Sequence, residues 1–209
     1  SCVAAIEPRL SDERLILQTK FGELELGFFP DVAPMTVAHI LELGRRGLYS
    51  SNNFFRVDRG FVAQIADVGS REAPMNTHQR EIALNKVKGE FSDVKHVRGI
   101  LSMGRYDDPD SATSSFSILL GPAPHLDGKY AVFGKLISGE DTLARLEQVE
   151  TTRQGIFVMP KERISILASY VRSSDEGDSV DCESAIQELQ ARNDALSREA
   201  HAFRQKRLP

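Results

Sequence analysis

The chain has 209 residues, a length that predicts one domain of about 150 to 170 residues with an appendage. Hydrophobic residues make up 41% of it, enough for a buried core, and the net charge of −4 argues against nucleic acid as the main partner, because binding phosphates needs a basic face. No apolar run approaches the roughly 20 residues that cross a bilayer, and the two cysteines and five histidines show no zinc-site spacing. We therefore expect no membrane span, no metal and no cofactor.

Short strands and amphipathic helices follow one another after a flexible lead-in at residues 1–12. Strands are predicted over residues 14–19, 22–28, 99–104, 115–120, 130–137 and 163–171, with two extended runs between residues 53 and 67. The first two strands form a hairpin through Lys20 and Phe21. Helices are predicted from Pro34 to the segment 44–47, over residues 140–149 and, as a short surface helix capped by Asn76, over residues 76–86. This pattern indicates a closed β-barrel capped by helices, because closure removes exposed strand edges.

A single cation, Arg56, stands among the apolar residues of the first extended run. In an alternating strand, Phe54 and Arg56 share one face, so the guanidinium and an aromatic ring project the same way. Arginine is always protonated and holds its donors in a rigid fork. The pattern has two interpretations. Arg56 is either a fixed cation directed at a neutral group in an apolar slot, or an edge-strand arginine paired with Asp58 or Asp67.

Five motifs follow one another in the order and spacing of a known family. They are Phe54-Phe-Arg-Val, Gly60-Phe-Val-Ala-Gln64, Arg98-Gly-Ile-Leu-Ser-Met103, Asp108-Pro-Asp-Ser-Ala-Thr-Ser114 and Leu126-Asp-Gly-Lys-Tyr-Ala-Val-Phe-Gly-Lys135. From about Arg14 to Val171 the chain resembles the cyclophilins, which are peptidyl-prolyl cis-trans isomerases, and it looks most like their divergent bacterial and plant branches. The resemblance implies a mainly β fold, a closed eight-stranded antiparallel barrel capped by two α-helices, and an activity that needs no cofactor.

The resemblance also implies roles for the motif residues. Arg56 is the expected catalytic residue, and Gln64 holds either Arg56 or the substrate backbone. A donor directed at the nitrogen of an X-Pro amide favours the twisted form and so lowers a barrier of roughly 18 to 20 kcal/mol. Phe61 forms a wall of the proline pocket and Leu126 its rim. The other expected substrate-binding residues are Val62, Gly104, Arg105, Ser115, Ser117, His125 and Tyr130. Of these, Gly104 and Arg105 offer backbone groups to the residue before the proline.

The chain departs from the family pattern around this pocket. Val62 stands where family members usually carry Met, and Ser115-Phe116-Ser117 stands where they carry Gln-Phe-Phe. An aromatic ring buries about 150 to 250 Å² at roughly 25 cal/mol per Å², so its absence at Ser117 predicts a rate lower by more than about tenfold. His125 replaces the Trp or Phe position associated with cyclosporin, so weak cyclosporin binding is expected. Together these changes predict a retained but reduced activity.

A second organised element is predicted beyond the domain at residues 13–171 and a flexible linker at residues 172–180. Over residues 181–207 the apolar spacing alternates between four and three, at Cys182, Ile186, Leu189, Asn193, Leu196, Ala200 and Phe203. Asn193 is the kind of polar residue that sets register in two-stranded coiled coils. Three heptads are marginal alone, so the helix either packs on a second copy, another protein or its own barrel, or is a lone solvated helix.

The sequence supports two functions of different classes. The first is an isomerase that acts on X-Pro bonds in proline-containing peptides and folding proteins. The alternative is a catalytically weak, cyclophilin-like binding module that docks in a larger assembly through its C-terminal helix; Ser115 and Ser117 favour it, whereas Arg56 favours the enzyme. The start at Ser1 and the cysteines near both ends favour the secretory pathway or an organelle lumen, with the cytoplasm as the alternative.

Overall fold

The computed structural model describes residues 7–173. In this part of the chain the strands are β1 (Glu13–Thr19), β2 (Gly22–Phe28), β3 (Asn53–Asp58), β4 (Val62–Ile65), β5 (Ile100–Met103), β6 (Phe116–Leu119), β7 (Val132–Ser138), β8 (Thr151–Gln154), β9 (Phe157–Pro160) and β10 (Ile164–Ser173). The helices are α1 (Pro34–Arg45), α2 (Thr77–Ala83) and α3 (Glu140–Glu147), with single 3-10 turns at Val68–Ser70 and Pro124–Leu126.

Eight of the strands close into a barrel, in the order β1-β10-β3-β4-β6-β5-β7-β2. Neighbouring strands pair antiparallel, and the predicted hairpin places Thr19 opposite Gly22 across the Lys20–Phe21 connection. The predicted closed eight-stranded barrel is therefore confirmed. The predicted strands outside the 53–67 segment agree with the observed bounds to within two residues.

The predicted helices are also present. α1 and α3 bury apolar faces against the barrel, through residues such as Ile40 and Leu143. The short surface helix forms as α2, and Asn76 caps it: its side chain accepts from the Gln79 N–H at 2.8 Å, while the Asn76 N–H donates to the Gln79 side chain at 3.0 Å. This reciprocal pair is a capping box, which satisfies two backbone donors at once.

The start of α1 is capped from a distance. Ala33 at its N-cap provides no side-chain acceptor. The carboxylate of Glu90 instead accepts from the Met35 N–H at 3.0 Å, from the Thr36 N–H at 2.8 Å and from the Thr36 hydroxyl at 2.7 Å. A carboxylate at this end also complements the helix dipole. Glu90 therefore fastens the long segment before β5 to α1.

The barrel interior is filled by aliphatic and aromatic side chains. The rings of Phe28 and Phe133 stack at 6.1 Å between centroids, and Phe116 meets Phe133 and Tyr49 edge-on at 5.5 Å each. These four side chains are fully buried, and the Tyr49 hydroxyl donates to the Ser114 carbonyl at 2.8 Å. Edge-to-face and offset contacts of this kind are the favourable arrangements of aromatic pairs. The interior is thus closed and tightly packed, and a ligand must bind outside it.

The hairpin of β8 and β9 was not predicted from the sequence. Gln154 pairs with Phe157, which leaves Gly155 and Ile156 as a two-residue turn. Gly155 has φ +60°, a left-handed conformation that glycine adopts without a steric penalty and that tight hairpins require. β-branched and aromatic residues on both sides of this glycine were the signal that could have revealed the hairpin.

A buried polar chain joins β5 to the turn at Pro124–Leu126. The Asp127 carboxylate accepts from the His96 N–H at 2.9 Å and lies 2.9 Å from Nδ1 of the same histidine. On the other side of the ring, Nε2 lies 2.9 Å from the Ser102 hydroxyl. Hydrogen bonds from the His96 N–H and ring, and to a smaller extent the charge of Lys95, hold the pKa of Asp127 below its ordinary value. These hydrogen bonds fix the position of the turn that carries His125 and Leu126.

Parts of the predicted termini lie within the described residues. Residues 7–12, expected to be a flexible lead-in, are held against the barrel: the Ser11 N–H donates to the Phe28 carbonyl at 2.9 Å, and Arg9 pairs with Asp31 at 3.1 Å. The predicted C-terminal helix at 181–207, and the linker beyond Ser173, lie outside the described residues. Within residues 7–173, no helix combines the length and apolar character needed to cross a membrane.

We expect the substitution Glu90→Ala to lower the free energy of unfolding by about 1 to 2 kcal/mol, because three donors at the start of α1 lose their acceptor. Urea denaturation at neutral pH measures this change. Glu81→Ala, at an exposed glutamate of α2, is the matched control and is expected to change stability by less than about 0.5 kcal/mol. Equal effects of the two substitutions would contradict the cap.

We expect Asp127→Asn to lower stability at neutral pH and to have little effect in acid. Because folding lowers the pKa of Asp127, its stabilising contribution is complete above the unfolded-state pKa of about 4 and is lost as the pH falls through the lower folded-state pKa. Denaturant midpoints of both proteins between neutral and acidic pH test this, with Asp93→Asn, at an exposed aspartate nearby, as control. A difference that stays constant with pH contradicts it.

Candidate functional site

A cleft of about 850 Å³ lies on the outer face of β3, β4, β5 and β6. Val57, Ala63 and Ile118 on these strands belong to the core, so their neighbours along each strand point outward. All but one of the eleven predicted site residues line the cleft: Arg56, Phe61, Val62, Gln64, Gly104, Arg105, Ser115, Ser117, Leu126 and Tyr130. The exception is His125, which was expected to bind substrate but is exposed on the adjacent turn. Its ring lies 5.3 Å from that of Phe61, so it contacts the residue that forms the wall.

A β-bulge in β3 directs Arg56 into this cleft. Phe54 pairs with Ile65 and Arg56 with Gln64, so Phe55 is an extra residue with no partner across the ladder. Phe54 is consequently buried in the core, whereas Phe55 and Arg56 both line the cleft. The expectation that Phe54 and Arg56 share a face was wrong, because the alternation of a regular strand does not continue through a bulge.

The Arg56 guanidinium contacts two aromatic rings and one carboxylate. Its central carbon lies 5.3 Å from the ring centroid of Phe61 and 5.7 Å from that of Phe157, distances at which a cation is attracted to a ring. One terminal nitrogen lies 3.3 Å from Asp58 Oδ2, while Nε is buried without a hydrogen-bond partner among the described residues. Arg56 therefore pairs with Asp58, as one of the two interpretations predicted, and it also contacts the aromatic ring of Phe61 on the apolar side of the cleft.

The floor of the cleft is a row of polar side chains that crosses four strands. Arg56 on β3 is opposite Gln64 on β4, Gln64 is opposite Ser117 on β6, and Ser117 is opposite Ser102 on β5. Residues paired directly across strands lie on the same face of the sheet and within contact distance. Ser117 thus lies near the middle of the floor, where its small side chain leaves space above the sheet.

Ser115 orients the amide of Gln64. The Gln64 Nε2 donates to the Ser115 hydroxyl at 3.2 Å, and that hydroxyl donates to the Ile65 carbonyl at 2.7 Å. Within residues 7–173, Gln64 makes no hydrogen bond to Arg56. Of the two roles expected for Gln64, the geometry therefore favours contact with a bound backbone over support of the arginine.

The apolar side of the cleft rests on a second hydrophobic cluster outside the barrel core. Val62 is buried in this cluster, and Phe61 and Leu126 are partly buried against it. Because Phe61 also contacts the Arg56 guanidinium, the charged donor and the apolar slot share one wall.

The turn before Phe61 is anchored by helix α3. The Glu147 carboxylate accepts from the Gly60 N–H at 2.9 Å and, through its other oxygen, from Arg98 at 2.9 Å. Gly60 has φ +73°, which a side chain would oppose. The position of the Phe61 wall is therefore set by a helix far along the chain.

Gly104 and Arg105 form the far edge of the cleft. The Gly104 N–H donates to the Ser115 carbonyl at 2.8 Å, so this donor is used within the barrel. The Arg105 guanidinium lies 4.4 Å from the Tyr130 ring centroid and donates to the Lys129 carbonyl at 2.8 Å. Its side chain thus ties two loops together.

The order Ser102, His96, Asp127 is also the hydrogen-bonded order of a serine hydrolase triad. The His96 side chain has no exposed surface, however, so it cannot exchange a proton with a molecule in the cleft. Within residues 7–173, no group of three metal-ligating side chains is present either. We therefore infer that the hydrogen bonds linking Ser102, His96 and Asp127 serve to position the turn that carries Leu126.

Sequence reasoning missed the part of the cleft formed by the β8–β9 hairpin. Ile156 and Phe157 line it, and Phe157 stacks edge-on against Phe55 at 5.8 Å. Ser102 was missed as well, since its motif was interpreted only as a buried strand. The hairpin contact was not accessible from sequence because about 100 residues separate Phe157 from Arg56, a distance at which local patterns carry no information.

Comparisons with known proteins agree with this geometry. Residues 14–171 match the family model described as cyclophilin type peptidyl-prolyl cis-trans isomerase/CLD. Peptidyl-prolyl cis-trans isomerase CYP23 of Arabidopsis thaliana is 64% identical over 165 residues, which cover 78% of this chain and 73% of that protein. A probable peptidyl-prolyl cis-trans isomerase of Brucella abortus is 33% identical over 158 residues, covering 73% and 81%.

Solved structures show the same fold. The crystal structure of a Cryptosporidium parvum cyclophilin type peptidyl-prolyl cis-trans isomerase superposes with a TM-score of 0.65 at 28% identity, covering 77% of this chain and 98% of the other. A second crystal structure of that protein, in the presence of the dipeptide Ala-Pro, gives a TM-score of 0.64. The motifs, the closed barrel and these matches lead to one conclusion: the chain belongs to the cyclophilin family of peptidyl-prolyl cis-trans isomerases.

Proposed function

We propose that the cleft binds a proline-containing peptide and that Arg56 catalyses rotation about its X-Pro bond, at a reduced rate. The observation that carries this proposal is the position of the Arg56 guanidinium, which contacts Phe61 at 5.3 Å beside the apolar slot. The Cryptosporidium parvum relative crystallised with Ala-Pro supports a proline-containing ligand. No cofactor takes part.

The chemistry requires only a well-placed donor. In the planar amide the nitrogen lone pair is delocalised into the carbonyl, which creates a barrier of roughly 18 to 20 kcal/mol. As the bond twists, the lone pair localises on nitrogen and becomes a hydrogen-bond acceptor. A guanidinium that donates to this nitrogen stabilises the twisted form more than the planar one, and only such differential binding accelerates the reaction.

The surroundings of Arg56 increase this effect. Its side chain is only 19% exposed, so its charge is weakly screened by water. Contacts with two rings and with Asp58 hold the fork in one orientation. A donor that is already oriented does not need to reorganise as the amide twists, which is the basis of electrostatic catalysis.

The proline ring is assigned to the slot between Phe61, Val62 and Leu126. The preceding residue is assigned to the edge at Gly104 and Arg105, where the Gly104 N–H is already bonded and carbonyl groups take the contact. Gln64, oriented by its 3.2 Å bond to the Ser115 hydroxyl, is assigned to the peptide backbone. In this arrangement the X-Pro bond lies over the polar floor.

The reduced rate is inferred from that floor. Ser117 lies midway between Gln64 and Ser102, where an aromatic ring would contact the bound proline. Without the ring, the proline gains less contact in the transition state. Ser115 departs from the family pattern with less consequence, because its hydroxyl still orients Gln64.

Several sequence-based predictions stay proposals. Weak cyclosporin binding follows from His125, which is exposed beside the cleft. Association through the C-terminal helix, as a homodimer or in a larger assembly, and a secretory or organelle-lumen location rest on sequence alone. The alternative of a catalytically weak binding module is tested by the assays below.

We expect Arg56→Ala to lower kcat/KM for short X-Pro peptides by about 100-fold or more, the usual cost of removing a transition-state donor. Arg56→Lys keeps the charge but not the fork and is expected to recover only part of the rate. Arg59→Ala, at an exposed arginine of the following turn, is the matched control and should be neutral. If wild type and Arg56→Ala isomerise peptides equally fast, Arg56 is not the catalytic residue.

We expect Ser117→Phe to raise kcat/KM by about tenfold or more, because a ring on the floor adds apolar contact to the proline. Ser117→Ala removes the hydroxyl without adding area and should leave the rate nearly unchanged. Isomerisation of one X-Pro peptide by the three proteins measures both effects. A fall in rate for Ser117→Phe, with the fold intact by circular dichroism, would show that the floor is not the seat of the proline.

A further inference from the structure

The tip of the β8–β9 hairpin exposes two large apolar side chains beside the catalytic arginine. Ile156 is 77% exposed and Phe157 is 37% exposed, and both line the cleft. Single exposed apolar residues are common on protein surfaces, but here two adjacent ones belong to the wall of a concave site. Phe157 contacts Arg56, but no part of a bound peptide has been assigned to either side chain.

The hairpin is anchored to β3, the strand that carries Arg56. The Phe157 ring meets Phe55 at 5.8 Å and the Arg56 guanidinium at 5.7 Å. Phe55 is the extra residue of the bulge, so the feature that directs Arg56 outward also provides the support for Phe157. Ile156 extends from this support as the exposed second residue of the turn.

The order of the strands gives the direction in which a bound peptide runs. Across the cleft the order is β3, β4, β6, β5, with Gly104 and Arg105 after β5 at one edge and the hairpin packed on β3 at the other. A peptide whose residue before the proline lies at Gly104, and whose X-Pro amide lies at Arg56, continues toward the hairpin. An extended chain advances about 3.3 Å per residue, so the first or second residue after the proline reaches Phe157.

We propose that Ile156 and Phe157 form a specificity-determining wall that binds an apolar side chain following the proline. This inference rests on the proposed orientation of the peptide in the cleft. The ligand class is an extended peptide with the pattern X-Pro-apolar. The hairpin thereby provides apolar contact to the residue after the proline, whereas the small Ser117 side chain provides little apolar contact to the proline ring itself.

The experiment uses the full chain and two sets of short peptides, one with Leu, Phe, Ser or Gly after the proline and one with the same residues before it. Dissociation constants from NMR titration and kcat/KM for isomerisation are measured for wild type, Ile156→Ser and Leu84→Ser. Leu84 is 74% exposed after α2 and does not line the cleft, so it is the matched control. Arg56→Ala is titrated with the same peptides.

For wild type we expect a preference of about fivefold for Leu or Phe over Ser after the proline, as burial of part of an apolar side chain provides. Ile156→Ser should reduce this preference to less than about twofold, with the Gly peptide unaffected, while Leu84→Ser keeps the full preference. Arg56→Ala should lose the rate but retain the binding preference.

The proposal is overturned if Ile156→Ser keeps the wild-type preference for Leu or Phe after the proline. It is also overturned if Ile156→Ser changes the preference only in the peptides that vary the residue before the proline. If wild type binds these peptides with the expected preference but does not accelerate isomerisation, the catalytic role of Arg56 fails while the wall stands. If it accelerates isomerisation without any preference after the proline, the wall fails while the catalytic role stands. Absence of binding to every peptide overturns both.

Discussion

The contact of the Arg56 guanidinium with the rings of Phe61 and Phe157 is the interaction on which the site depends. A permanent charge beside an apolar slot loses hydration, and this loss is tolerated only where other groups compensate. Two aromatic faces and the Asp58 carboxylate provide that compensation. The bulge at Phe55, the turn before Phe61 and the β8–β9 hairpin each supply one part of this environment.

The elements around the cleft are fastened by carboxylates that accept backbone N–H groups far away in sequence. The Glu147 carboxylate accepts from the Gly60 N–H and the Asp127 carboxylate from the His96 N–H. Away from the cleft, Glu90 accepts from the start of α1 in the same way. Charged acceptors make the stronger hydrogen bonds in proteins. Loops near the barrel surface have little apolar area to bury, so such bonds set their positions. The walls of the cleft are thereby held at defined distances from Arg56.

Apolar contact in this cyclophilin is distributed differently from the pattern its motifs lead one to expect. The floor at Ser117 is small and polar, and its neighbours Gln64 and Ser102 are polar too. The hairpin meanwhile presents Ile156 and Phe157 beyond the arginine. In the proposed orientation of the peptide, less contact with the proline and more contact with the residue after it would favour discrimination among sequences over rapid turnover of every X-Pro bond.

The sequence by itself determined the barrel strands and the Asn76 cap, because period-two alternation and capping residues are local properties of one stretch of chain. Ten of the eleven predicted cleft residues followed from the resemblance of its motifs to the cyclophilins. Only the tertiary structure decided the face of Phe54, the Glu90 cap on α1, the contact of His125 with Phe61 and the contact of Phe157 with Arg56. The bulge inserts one residue and so reverses the inward and outward pattern that alternation predicts. The remaining contacts join residues that are distant in sequence, so only the folded chain brings them together.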